Sequence, residues 1–201
     1  MHHAATFYYR ALGLLWGAWA LYWLISAVGT KRTVQRESLV KRLAYVVPLL
    51  IGAVLLGAHR AHWPPWLALR LWPHSPTPAR IGLALVVAGL LFAVWARVHL
   101  GRNWSGIVTV KEGHELIRSG PYAMVRHPIY TGLITAVLGT AIISATVRAA
   151  LGFGIIAVAL TAKSRIEERF MREAFGEQYA RYREQVPALV PFTKLRRSVP
   201  R

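Results

Sequence analysis

Five apolar stretches limit what this chain can become. They fall at roughly 7–28, 43–58, 81–98, 129–146 and 149–162. A run of about 20 apolar residues spans the hydrocarbon of a bilayer as a helix. In lipid every backbone N–H and C=O needs an internal partner, so the runs are predicted as helices rather than loops or open strands. The chain is 55% hydrophobic, with a mean hydropathy of +0.36. The expected fold class is all-α: a polytopic membrane protein of about five transmembrane helices with a cytoplasmic C-terminal helix. No small-residue cleavage site follows the first run, which is expected to stay as a helix. It contains Gly13-Leu-Leu-Trp-Gly17, a small-xxx-small pattern expected to seat a neighbouring helix. Only a short turn containing Arg148 divides the last two runs, which predicts a tight antiparallel hairpin. The fifth run is short and carries Gly152 and Gly154, which suits a tilted or protein-shielded span.

The chain has 25 Lys and Arg against 8 Asp and Glu, a formal net charge of +17. In a soluble chain that balance points first to nucleic acid. Here the basic residues lie between apolar runs, where anionic lipid headgroups meet them. Membrane lipids are therefore expected partners and nucleic acid is not. With five spans, residues 31–42, 97–128 and 163–201 share one side, and they hold 20 of the 25 basic residues. The excess of Lys and Arg predicts that this side is cytoplasmic, with the N-terminus outside, in an inner or plasma membrane. There is no cysteine, which excludes disulfides, thiolate metal sites and cysteine nucleophiles. The prolines of the 59–80 loop forbid a continuous helix there, and its tryptophans suit the membrane interface. His59 and His62 have a metal-like spacing but no third ligand, so no metal is expected.

Residues 1–100 read as three helices with their loops, and residues 101–201 as the part that carries the chemistry. Two segments there are too polar to be plain connectors. The first, Ser119 to Gly132, places Arg126, His127 and Tyr130 where the fourth helix enters the membrane. Pro128 pre-sets the helix start, and the free N–H groups of the first turn suit a carboxylate or other anion. Arg126 reads equally well as a basic residue reaching for headgroups. The second segment, Arg165 to Tyr182, has helical periodicity and is predicted to continue the fifth run. It ends before Pro187, and Pro191 is expected to keep the following stretch extended. Glu167 shares a face with Phe170, Met171, Ala174 and Phe175, an expensive place for an acid unless it is paired or used. Glu168, flanked by Arg165 and Arg172 at helical spacing, reads as a surface ion pair.

The pattern Arg126-His-Pro-x-Tyr-x-Gly132, then Glu167-Glu168, Phe175-Gly-x-x-Tyr-x-x-Tyr182 and Val186-Pro-x-x-x-Pro-Phe192 resembles the isoprenylcysteine carboxyl methyltransferase family. It is also similar to the related membrane phospholipid methyltransferases. The likeness covers about residues 101–192. It implies S-adenosylmethionine (SAM) as methyl donor, bound between the entrance of the fourth helix and the C-terminal helix. By that resemblance His127 and Tyr130 line the cofactor pocket, and Glu167 holds the cofactor's polar groups with Glu168 as its substitute. Lys111, His114, Leu116, Gly120, Pro121 and Tyr122 lie near the cofactor, and Arg126, with Glu167 the catalytic assignment, positions an anionic acceptor. The implied acceptor is a lipophilic or prenylated molecule, most simply a prenylcysteine-like carboxylate. Where eukaryotic members carry a longer acidic run, Arg165-Ile166 here leads directly into Glu167-Glu168, which bears on the acceptor more than on the cofactor.

Three other readings stand beside this one. A phospholipid amine acceptor would need deprotonation, by His127 or Glu167. A membrane sterol-type reductase would need a nicotinamide, and no phosphate-binding glycine pattern supports one. A non-catalytic lipid-binding protein would account for the basic loops but leaves Glu167 unexplained.

Overall fold

The computed structural model describes residues 2–28, 33–36, 38–58, 61–73, 75–101, 109–111 and 116–193. Each apolar run forms a helix: α1 (His2–Ser26), α2 (Leu39–Gly57), α4 (Pro76–Leu100), α5 (Pro128–Ser144) and α6 (Val147–Gln185). A single turn, α3 (Pro65–Ala68), sits in the loop between α2 and α4, and two short strands, β1 (Thr33–Arg36) and β2 (Thr109–Lys111), pair antiparallel. That pairing puts the α1–α2 and α4–α5 connections on one side, as the five-span reading requires. By length and composition α2, α4 and α6 are able to cross a membrane, and α5 is a shorter apolar helix. Large apolar side chains such as Leu14, Leu24, Leu50, Leu91 and Val158 face outward. The chain is an integral membrane protein.

Local chemistry moves two helix starts outward from the apolar runs. Ser38 caps α2 by accepting from the Lys41 amide at 3.4 Å, so the helix begins at Leu39. α4 begins at Pro76 rather than Ile81, because a proline in the first turn lacks only a donor that has no helical partner anyway. Towards its other end the predicted hairpin holds, but its turn is Ala145, at φ 54°, and Thr146. Arg148 lies inside the first turn of α6, 5% exposed, and donates to the carbonyls of Leu55 and Leu56 at the end of α2. Arg97 does the same at the opposite side, bonding Gly101 at 2.8 Å and the Ser26 carbonyl at the end of α1. Both arginines therefore satisfy carbonyls that a helix end leaves orphaned.

Close helix contacts run through facing glycines. Gly82 meets Gly139 and Gly89 meets Gly132 across the antiparallel α4–α5 pair, and Gly52 meets Gly152 across α2–α6. A β-carbon on Gly89 would lie 2.4 Å from the Gly132 carbonyl oxygen. Backbone cannot yield as a side chain does, so Gly89→Ala is expected to lower stability by about 1–3 kcal/mol, as core overpacking does. Thermal unfolding in detergent measures it. The Gly13–Gly17 pattern does not make the helix contact expected of it: neither position has an atom within 4 Å of a β-carbon placed there.

α6 continues well past the apolar run, as its periodicity predicts, but it is broken at Gly176, where φ is 46° and ψ is −124°. L side chains resist that conformation, which explains a glycine between Phe175 and Tyr179. Val186 is extended, but the residues beyond Pro187 are not: they bend and then turn at Pro191–Phe192, with Phe192 at φ 63°.

Candidate active site at the membrane edge

Four elements bring the polar residues together. His127 is the N-cap of α5, one residue ahead of Pro128. Glu167 and Glu168 lie on α6 beyond its apolar half, and Arg183 follows the Gly176 break. The segment after α6 straps the group down. The Arg126 and His127 amides donate to the Pro187 and Ala188 carbonyls at 2.9 and 3.0 Å, and the Thr131 hydroxyl donates to Leu189 at 2.6 Å. Those amides are thus occupied by protein just ahead of the helix.

His127 stands between the two carboxylates. Its Nδ1 is 3.4 Å from Glu167 Oε2 and its Nε2 is 3.3 Å from Glu168 Oε1. Its ring lies nearly parallel to that of Tyr130 at 5.7 Å, and the Tyr130 hydroxyl donates to Glu167. Glu168 is the buried acid: Arg126 reaches it from Nη2 at 2.5 Å and from Nε at 3.0 Å, and Arg183 approaches at 3.3 Å. Arg126 also donates to the carbonyls of Arg183 and Val186.

The surface-pair reading of Glu168 is therefore overturned. Its neighbour in helical spacing, Arg172, bonds the Glu168 main-chain carbonyl at 3.2 Å and not its carboxylate. Glu167 is the more open acid, its side chain 23% exposed against 11% for Glu168. Arg126, at 7% side-chain exposure, is committed to Glu168 and two carbonyls.

The electrostatics follow from this packing. Burial opposes charge on Glu168, but hydrogen bonds from His127 and Arg126 outweigh it and hold the carboxyl at about 2. Burial is likewise outweighed at Glu167, where His127, Lys163 and Tyr130 hold the carboxyl below its ordinary value. At His127 burial alone would lower the pKa, yet the two carboxylates raise it. A proton held more tightly in the folded state stabilises below the unfolded value, near 6.5, and that contribution is lost as pH rises through the raised one. Thermal stability in detergent is therefore expected to fall on the alkaline side of neutrality, and His127→Gln is expected to flatten that slope.

The remaining residues expected near a cofactor divide. Gly120 has a φ of 57°, and a β-carbon there would meet the His99 ring at 2.8 Å. Pro121 and Tyr122 are buried; the Tyr122 carbonyl accepts from the Tyr182 hydroxyl at 2.6 Å. Leu116 packs on the Tyr179, Tyr182 and Val186 cluster. These residues shape the floor that holds α5 against the end of α6. Lys111 lies in β2 with its side chain outside the described part, and His114 lies outside the described residues. Among the described residues no cluster of His, Asp and Glu is arranged to hold a metal.

Sequence reasoning missed Arg183, Lys163 and Tyr45. The Lys163 ammonium lies 4.9 Å from the Tyr45 ring centroid and 5.5 Å from that of Tyr130. Lys163 is four residues before Glu167, a spacing that was legible. Tyr45, from α2, carried no such signal.

Fold and site together define a helical membrane protein with an acid–histidine–arginine cluster where its helices leave the apolar region. The model of the isoprenylcysteine carboxyl methyltransferase (ICMT) family matches residues 82–173. The chain is similar to protein-S-isoprenylcysteine O-methyltransferase B of Arabidopsis thaliana, with 26% identity over 182 residues, 85% of each chain. It is also similar to the cobalt-zinc-cadmium resistance protein CzcN of Cupriavidus metallidurans, with 30% identity over 76% of this chain and 63% of that one. Among solved structures it matches the eukaryotic intramembrane Ras methyltransferase ICMT, with a TM-score of 0.49 and 25% identity over 76% of this chain and 51% of that one. Over residues 82–173 the chain thus resembles the isoprenylcysteine carboxyl methyltransferase family, and over most of its length a methyltransferase of that name.

Proposed function

We propose that the protein transfers a methyl group from SAM to the carboxylate of a hydrophobic, prenylcysteine-like acceptor at the cytoplasmic face, with its N-terminus outside. The observation that carries this reading is the pairing of His127 and Tyr130 with Glu167 at the mouth of α5.

These residues fit SAM chemically. Glu167 is ionised, partly open and backed by two aromatic rings, so it is able to receive the cofactor's ammonium or ribose hydroxyls while the rings cover its apolar parts. SAM supplies an already activated methyl on a sulfonium. What the chain must contribute is alignment of the acceptor and exclusion of water. Glu168 and Arg126 serve this by fixing His127 and the 186–189 strap. Arg126 acts as a positioning residue in this geometry, because anion binding there would have to displace Glu168.

The protonation pattern supports a carboxylate over an amine acceptor. An amine must lose a proton before attack, and the two carboxylates beside His127 strengthen its hold on a proton while Glu167 already accepts from Tyr130. A carboxylate needs no base, and the Lys163 ammonium above the Tyr45 and Tyr130 rings favours an anion nearby.

Calorimetric titration of S-adenosylhomocysteine into detergent-purified protein tests the cofactor assignment. Binding that His127→Ala weakens supports it; no binding by well-folded wild type overturns it.

A further inference from the structure

α1, α2, α5 and α6 line a half-open cavity of about 500 Å3. Its wall includes Leu12, Gly13 and Trp16 of α1, Leu49 of α2, Leu133 of α5 and Leu160 of α6. Two of its polar groups are satisfied within the wall: the Trp16 indole donates to the Thr140 hydroxyl at 3.1 Å, and that hydroxyl donates to the Ala136 carbonyl at 2.9 Å. One helical turn beyond Leu49, Leu133 and Leu160 lie Tyr45, Tyr130 and Lys163, the cation and two rings already described. An apolar cavity thus ends beneath a cationic, aromatic rim, and Glu167 is one turn further on.

With the acceptor, a single-chain anionic amphiphile, seated by its hydrocarbon tail in this cavity, we propose that Gly13 sets the longest tail the protein accepts. The inference rests on the methyltransferase reading above. From Leu133 to Ser144, both in the wall, the cavity follows α5 for about 16 Å at 1.5 Å per residue. α1 runs antiparallel to α5: Trp23 belongs to the same apolar cluster as Ile129, and Leu12 to that of Ile143. Gly13 is therefore one turn from Trp16 on the side away from the polar site, beside the far end of a tail whose head lies at Lys163. The other glycines at helix contacts, such as Gly52 and Gly139, would meet backbone or side chains under 3 Å from an added β-carbon, whereas Gly13 would meet nothing within 4 Å. Its missing side chain leaves room where the others permit contact. Any larger residue there takes up space that only a long tail reaches.

The test compares methyl transfer to S-geranyl, S-farnesyl and S-geranylgeranyl cysteine by wild type, Gly13→Leu and Gly17→Leu. Leucine is the better helix former at both positions, and both have open space, so both variants keep the fold. Gly17 lies on α1 but outside the cavity wall, which makes it the control. Gly13→Leu is expected to leave geranyl turnover nearly unchanged and to lower geranylgeranyl turnover about ten-fold or more, the effect of a methylene or two lost from an apolar pocket. A parallel change for all three acceptors, or the same shift in Gly17→Leu, overturns the inference. Photolabelling with a farnesylcysteine analogue carrying a diazirine at its tail supplies a second readout that needs no turnover. Labels are expected on Tyr9, Leu12 or Trp16 and are expected to diminish in Gly13→Leu. Labels confined to the outward Leu14, Leu21 and Leu24 overturn the cavity assignment. Labelled cavity residues without methylation of any acceptor would instead sink the methyltransferase reading and leave the cavity assignment standing.

Discussion

Glu167→Ala is expected to weaken S-adenosylhomocysteine binding about a hundred-fold or more and to abolish measurable methyl transfer, while the protein still inserts and purifies. Hydrogen bonds to a charged group each contribute about 1.5–3 kcal/mol, and one carboxylate able to hold two cofactor groups accounts for the loss. The acid is partly open and makes no bond to the 186–189 strap, so its removal leaves the frame of Arg126, Glu168 and the C-terminal segment in place. Glu167→Gln keeps the shape and an acceptor oxygen but not the charge, and is expected to fall between the two. Wild-type binding in Glu167→Ala would sink the assignment.

Arg126→Ala is expected to act on stability first. The guanidinium pairs with a Glu168 side chain that is 11% exposed and ties α5 to the carbonyls of Arg183 and Val186. Removing one partner of a buried pair leaves the other charge uncompensated, at about 3–5 kcal/mol. Arg183 and His127 remain near Glu168, which places the expected loss at the lower end. Arg126→Lys restores the charge but not the planar fork, so partial recovery of the unfolding temperature with weakened turnover is the expected pattern. An Arg126→Ala variant as stable as wild type but inactive would show instead that the arginine meets the acceptor.

The fold was largely legible because lipid removes most alternatives: apolar runs must close their own hydrogen bonds. The helices and the tight hairpin follow from that constraint, and the continuation of α6 from its helical periodicity. Pairing was less legible. Gly13-Leu-Leu-Trp-Gly17 matches a contact motif, yet the glycines that make contact are Gly82, Gly89, Gly132, Gly139, Gly52 and Gly152, whose partners lie far along the chain. Arg148 and Arg97 likewise count as topology charges in sequence but close helix ends in three dimensions.

At the site, periodicity put Glu167 on the packed face and Glu168 on the surface, whereas Glu168 is the more buried of the two. The spacing to Arg165 and Arg172 describes a straight helix. The actual partners of Glu168 come from the α5 mouth and from beyond the break at Gly176, neither of which helical spacing along one segment reports. The resemblance to the family carried His127, Tyr130 and both acids without requiring that geometry.

The most direct test of the account is methyl transfer itself, followed by the chemistry of the product. Purified protein in lipid nanodiscs is incubated with methyl-labelled SAM and S-farnesyl cysteine, and the product is treated with base. The account predicts label that base releases as volatile methanol, the mark of a carboxyl methyl ester, and its absence in Glu167→Ala. Label that stays on the acceptor in base, or no transfer by folded wild type, would contradict it.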